Sequence, residues 1–348
     1  MTAESGALQR VRRALERLRR SVGDGDETSI PVVVAALSGG ADSLALVVLL
    51  RELDRLGELR LVAVHVDHGA RPESAAEAIA VGEVVARLGV AFRSEVIAPD
   101  AIARHRGVGV EESMRRERYR LLAAVASQMG ADVIATGHHR RDQAETVLLH
   151  LLRGAGLQGA GGMREIATVD VPWWTRDETR TSVRLWRPLL GEEPAMLRAL
   201  VETHGLPVID DPSNRSEVYR RNAVRHRVLP VLEDVVPGAE GNLAALAQRA
   251  ADDNDALDGI ALLGLREGEG RLARDMMMAH PVAIQRRMVR CWVAANAADV
   301  DLTFDRTEAV RLLLVRNDGG KVVEIGAGWR VRMSRGELGI VSPDGRDA

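Results

Sequence analysis

Ser38-Gly39-Gly40-Ala41-Asp42-Ser43 sets two adjacent glycines among two hydroxyls and a carboxylate, groups suited to cradling a polyphosphate. Adjacent glycines leave backbone N–H groups free to point at an anion, and a helix starting behind them adds its dipole. A Walker loop would place a lysine against the terminal phosphates. The single lysine of this chain is Lys321, which argues against γ-phosphate transfer on a P-loop. The adjacent glycines also break the Gly-x-Gly-x-x-Gly pattern of a dinucleotide turn.

A second constellation is Thr136-Gly137-His138-His139-Arg140-Arg141-Asp142-Gln143-Ala144-Glu145-Thr146. Asp142 and Glu145 fall in the first turn of a predicted helix, where the dipole favours carboxylates whatever their role. His138, Asp142 and Glu145 share one face of it, so the two acids are read as ligands for the Mg²⁺ that a nucleotide brings, with capping as the competing use. Arg221 and Arg225 lie one helical turn apart, as a clamp on phosphate or carboxylate or as caps of a solvated helix. Glu111 and Arg115 form an i,i+4 pair, with Arg118 and Tyr119 beside it. His65-Val66-Asp67-His68 ends a predicted strand where an adenine or ribose would lie; the same groups become a metal site only if a third ligand is near. Asp210-Asp211-Pro212-Ser213-Asn214 makes an acidic turn read as the edge of the site.

The elements that must position these groups alternate. Strands are predicted at 32–37, 61–66, 91–97, 132–136 and 183–190, and helices at 43–56, 73–88, 111–129, 142–153 and 192–204. Apolar strand runs alternating with helices give an α/β fold with a parallel, doubly wound sheet. Ligands of such sheets collect beyond the carboxyl ends of the strands, where Ser38, His65 and Thr136 all fall. Residues 154–162 are glycine-rich and read as a mobile or closing loop. Leu8, Val11, Leu15, Leu18 and Val22 predict an N-terminal amphipathic helix over 1–27 with its arginines outward. The catalytic domain is expected over 28–216 and a helical and α+β region over 217–348, with short strands at 322–325, 329–333 and 338–341.

Composition bounds the reading. At 348 residues and 46% hydrophobic, the chain supports two or three domains with sizeable cores. Without a long apolar run or a leader pattern it is expected to be soluble and cytoplasmic, with no membrane partner. The one cysteine, Cys291, excludes an internal disulfide and any cysteine cluster. Net charge is −3, yet residues 10–20 carry six arginines against one glutamate and residues 215–227 carry five against one. Arginine suits bidentate phosphate contact, although genomic base composition explains its excess over lysine equally well.

The six-residue cradle resembles the signature of the PP-loop ATP pyrophosphatases. With His-Val-Asp-His-Gly at 65–69, Glu-x-x-x-Arg-x-x-Arg-Tyr at 111–119, the Thr-Gly-His-His stretch, Arg-Pro-Leu-Leu at 187–190, the acidic turn and Arg-Asn-x-x-Arg-His at 221–226, it is similar to the bacterial tRNA(Ile)-lysidine synthetases over about residues 28–235. That resemblance implies ligation of free L-lysine to C2 of the wobble cytidine in the CAU anticodon of tRNA(Ile), changing its codon from AUG to AUA. ATP adenylates the cytidine, releasing pyrophosphate and then AMP. It further implies ATP binding by Ser38, Gly39, Gly40, Ala41, Asp42, Ser43, His65 and Asp67, and substrate contact by Arg115, Arg118, His138 and Glu145. Catalytic roles fall on Asp42, Asp142, Arg221 and Arg225, and Asp142 and Glu145 hold Mg²⁺. A homodimer is compatible with the pattern. One position departs: the family usually has aspartate where this chain has Arg141. The rival readings are a tRNA cytidine thiolase, which needs cysteines this chain lacks, an amidating PP-loop enzyme, and a non-catalytic nucleotide- or RNA-binding protein.

Overall fold

The computed structural model describes residues 3–346 apart from 22–29, 68, 70–73, 106, 132, 173–180, 210–219, 298–299 and 301. The acidic turn at 210–214 lies outside the described residues. The chain forms two compact units, Met1–Gln248 and Arg249–Ala348. Both α1 (Ala3–Ser21) and the basic stretch from Arg220 therefore lie in the same unit as the cradle.

In the first unit β1 (Val32–Leu37), β2 (Arg60–Asp67), β3 (Ala91–Val96), β4 (Val133–Ala135), β5 (Ile166–Val171) and β6 (Thr181–Trp186) form one sheet in the order β3-β2-β1-β4-β6-β5. All pairs are parallel except β5 with β6. The chain moves outward from β1 through β2 to β3 and then returns to β4 on the other side of β1. The switch point of the doubly wound sheet thus lies between β1 and β4, where a ligand crevice is expected. β5 was not predicted; it is an antiparallel edge strand that pairs Ile166 through Val171 with β6.

α2 (Ala41–Arg55) is apolar on every face because it has neighbours on every face. Ser43 through Leu50 are all buried, with the sheet on one side and α1 and α7 (Pro194–Thr203) on the other. α1 is the amphipathic helix that was expected, with Arg10, Arg13, Arg17 and Arg20 exposed. Its apolar stripe, Ala7, Val11, Ala14, Leu15 and Leu18, is buried in the main core, while Arg10, Arg12 and Arg17 pair with Glu192, Glu58 and Glu165. These three arginines staple the helix to its own unit.

In the second unit, α11 (Arg274–Met278), α12 (Val282–Asn296) and α13 (Phe304–Val315) share a core with the antiparallel sheet β7 (Val322–Gly326), β8 (Trp329–Ser334) and β9 (Glu337–Val341). Val331 and Met333 of β8 are buried and alternate with exposed Arg330 and Arg332, the pattern of a sheet with one wet face.

Candidate active site

The cradle is shaped by its own hydroxyls. Ser43 Oγ donates to the Gly40 carbonyl at 2.9 Å, accepts the Ser38 N–H at 3.2 Å and lies 3.1 Å from Ser38 Oγ. Gly39 has φ of +87°, and a side chain there would meet Val81 and Ile209 at 3.0 and 3.2 Å, so glycine is required twice over. No side chain caps α2 at Gly40, which leaves first-turn N–H groups for an anion. Gly137, in the loop after β4, sits so close to α2 that a Cβ would lie 2.9 Å from the Asp42 carbonyl oxygen. That close approach brings the two strand ends into a single crevice.

α5 (Arg140–Leu152) starts on a capping box. His139 Nδ1 accepts the Arg141 N–H at 3.2 Å, and Asp142 Oδ2 accepts the His139 N–H at 3.0 Å. With Nδ1 used as an acceptor, the ring proton sits on Nε2, which lies 3.4 Å from Asp42 Oδ2 and 3.5 Å from Asp142 Oδ2. Burial alone would lower the His139 pKa, but the bond to Asp42 and the charges of both aspartates outweigh it and raise the value. Burial would raise Asp142; His139, Arg221 and His138 overcome it and bring the group down to about 2. His138 behaves oppositely. Burial, reinforced by Arg187, Arg221 and Arg115, lowers it to about 3, so it is neutral and bonds Thr136 Oγ1 through Nδ1 at 2.8 Å.

Below this, Glu145 has no exposed surface and takes two arginines. They come from α8 (Arg220–Ala223) and the π-helical turn Val224–Val228 that follows it. Arg221 Nε donates to Glu145 Oε2 at 2.7 Å and its Nη2 lies 3.1 Å from Asp142 Oδ1. Arg225 Nε donates to Glu145 Oε1, and its Nη2 to Asp142 Oδ1 at 2.9 Å. Two carboxylates and two guanidinium groups thus neutralise each other, with the arginine side chains 34% and 27% exposed. This corrects the expectation for Glu145 as a Mg²⁺ ligand, since its oxygens are occupied and shielded.

The comparisons with known proteins agree with this geometry. A PP-loop domain family matches residues 9–232, and a TilS substrate binding domain matches residues 272–338. The tRNA(Ile)-lysidine synthase of Parasynechococcus marenigrum is 33% identical over 320 residues, covering 89% of each chain. The chain belongs to the tRNA(Ile)-lysidine synthase family. The enzyme of Nitratidesulfovibrio vulgaris is 45% identical over 223 residues, 64% of this chain and 60% of that one, and that of Bradyrhizobium is 39% identical over 312 residues, 83% and 82%. A tRNA thiolase of Methanococcus maripaludis shares the fold at 18% identity and a TM-score of 0.53, covering 70% of this chain and 80% of its own.

Other residues of this family member take quieter positions. His65 Nδ1 bonds the Leu37 carbonyl at 2.9 Å and Asp67 accepts the Gly69 N–H at 2.8 Å, so both shape the end of β2 from buried positions. Arg115 lies over the Tyr119 ring at 5.5 Å; Arg118 stands on the same helix, α4 (Val110–Gln128). Two residues were not singled out from sequence. His139 contacts Asp42, although His138 was named, and the doubled histidine was the signal available. Arg187 is 8% exposed, donates to the Arg164 carbonyl at 2.7 Å, and keeps a buried Nε with no hydrogen-bond partner among the described residues. The glycine-rich segment is also tied down: Gln143 exchanges hydrogen bonds with both backbone groups of Met163 at 2.8 and 2.9 Å, and His150 bonds the Gly159 carbonyl. That anchors the segment at Gly159 and just beyond its end at Met163.

Proposed function

We infer that this chain ligates L-lysine to C2 of the wobble cytidine of tRNA(Ile) with a CAU anticodon, by way of an adenylated cytidine. The observation that carries this reading is the bridge Asp42–His139–Asp142. It joins the ATP cradle to the carboxylate and arginine cluster in one crevice at the switch point of the sheet.

ATP would lie with its phosphates over the N–H groups of Gly39, Gly40 and Ala41, while Ser38 and Ser43 frame the loop and His65 and Asp67 border the nucleoside. The C2 oxygen of cytidine attacks the α-phosphorus, the bond to pyrophosphate breaks, and the outward edges of Arg221 and Arg225 stabilise the charge that develops. Asp42, whose side chain is 45% exposed, would hold a Mg²⁺ ion, which would supply further charge to the departing pyrophosphate, whereas Asp142 has Oδ1 taken by the two arginines and Oδ2 by the His139 N–H. Lysine then attacks C2 through its ε-amine and AMP leaves. The ammonium must first lose a proton. Asp142, held ionised by its cations, keeps His139 facing Asp42, and the more open Asp42 accepts the proton. Arg115 and Arg118, with Arg187 and the neutral His138, line the side on which the anionic groups of the substrate would rest. A thiolase chemistry is disfavoured because the single cysteine, Cys291, lies on α12 of the second unit. Among the described residues no helix is long and apolar enough to cross a membrane, in keeping with a cytoplasmic place.

The test is incubation with α-phosphate-labelled ATP, lysine and the CAU transcript, beside the same transcript carrying uridine at the wobble position. Lysidine and AMP are expected from the first alone. Product from both, or from neither, refutes the reading.

A further inference from the structure

We propose that Arg141 and Glu240 form a register lock that positions the Arg221–Arg225 clamp on α5. This rests on the lysidine-forming reading above. Arg141 stands in the first turn of α5, with its side chain 41% exposed. Its Nε donates to Glu240 Oε1 at 2.8 Å, and Glu240 is a charged residue only 7% exposed, at the start of α10 (Ala239–Glu267). Glu240 is itself held: its N–H and that of Gly238 donate to the Glu233 carboxylate at 2.7 and 2.8 Å.

Three consecutive residues of α5 thus reach three different segments. Arg140 bonds Glu192 through its N–H at 3.0 Å and Glu193 through Nη2 at 2.7 Å, Arg141 takes Glu240, and Asp142 takes Arg221 and Arg225. The segment 220–243 packs on α5 through a small apolar seam of Ala144, Val224 and Leu229, joined by Leu148, Leu232 and Leu243. Apolar contact is non-directional and tolerates sliding. The ion pairs are directional and of opposite sense: α5 offers carboxylates to arginines at one point and an arginine to a carboxylate at the other. A slip in one direction would carry Glu240 toward Asp142, and a slip in the other would carry Arg225 toward Arg141; either sets like charge against like, so the pair sets alignment in the way polar groups fix register elsewhere. Arg141 touches no reacting atom; it is a positioning residue that acts through Arg225 and Asp142.

The test is single-turnover pyrophosphate release with the CAU transcript. Arg141→Ala and Glu240→Gln are each expected to lower the maximal rate about tenfold, as a misplaced clamp would, while KM for ATP and tRNA affinity stay within about twofold. Arg141→Glu is expected to be worse than Arg141→Ala, and R141E/E240R to recover most of the rate. Singles with wild-type rates in an enzyme that makes lysidine overturn the lock alone, as does a raised KM with unchanged maximal rate, or a swap no better than Arg141→Glu. A wild-type chain that makes no lysidine overturns the functional reading and the lock with it.

Discussion

Arginine–carboxylate clusters occur in both units, and they differ in what they enclose. In the second unit Glu308 takes Arg311 and Arg286, Arg311 continues to Gln285, and Arg287 closes on Asn254 and Asp258. The partners lie 3 to 33 residues apart on α10, α12 and α13, and the network stays partly exposed. In the first unit the clamp joins Asp142 and Glu145 to arginines 76 to 83 residues away, and leaves arginine edges and Asp42 at a crevice. Hydrogen bonds from Arg311 and Arg286 lower Glu308 to about 2, the same value as Asp142. A depressed carboxyl is therefore no marker of function. What separates the two clusters is the phosphate cradle, which adjoins one of them through His139 and Asp42.

Substitutions can break that contrast, and the largest effect is expected from Asp42→Ala. It should abolish adenylation while tRNA binding, measured by filter retention, stays largely intact; adenylation that survives would remove Asp42 from the mechanism. Gly137→Ala drives a methyl group against the Asp42 carbonyl, and should lower pyrophosphate release about a hundredfold by shifting the two strand ends apart. A wild-type rate would mean that the loop can retreat.

Glu145→Gln strips a buried charge from two arginines, with an expected cost of about 3–5 kcal/mol in chemical denaturation, whereas Glu308→Gln, at a partly exposed network, should cost about 1 kcal/mol and leave activity unchanged. Equal costs would erase the distinction between the clusters. Arg221→Ala should slow the reaction and, if its edge meets phosphate, flatten the salt dependence of tRNA binding by about one unit of slope.

Acid sharpens the comparison least. The folded pKa of Asp142 lies below that of the unfolded chain, so its contribution is complete above about pH 4 and is lost as pH falls toward about 2. Asp142→Asn should make that limb of the acid-unfolding curve shallower.

Most of the sheet was legible because β1, β2 and β4 are near-continuous apolar runs, the mark of strands buried on both faces. β5 escaped notice although Ala167 through Val171 alternate apolar and polar as an edge strand does, because the run is short and follows a glycine-rich segment. The crevice was legible from glycine spacing and strand ends. The use of its charges was not: a carboxylate in a first helical turn looks alike whether it faces a metal, a helix dipole or two arginines from a distant segment. Only the fold shows that Glu145 is sealed and that Asp42 is open. In α1 the arginines do face outward, but their carboxylate partners lie 46 or more residues away, beyond the reach of periodicity.

The capping box of α5 has one further consequence. His139 and Asp142 are at once the bridge to Asp42 and the pair that winds the first turn of the helix. Helix initiation and assembly of the site are therefore one cooperative event: when the first turn frays, the bridge opens with it. Protection of the Arg141 amide against solvent exchange becomes a direct gauge of how often the crevice is assembled, readable without any substrate.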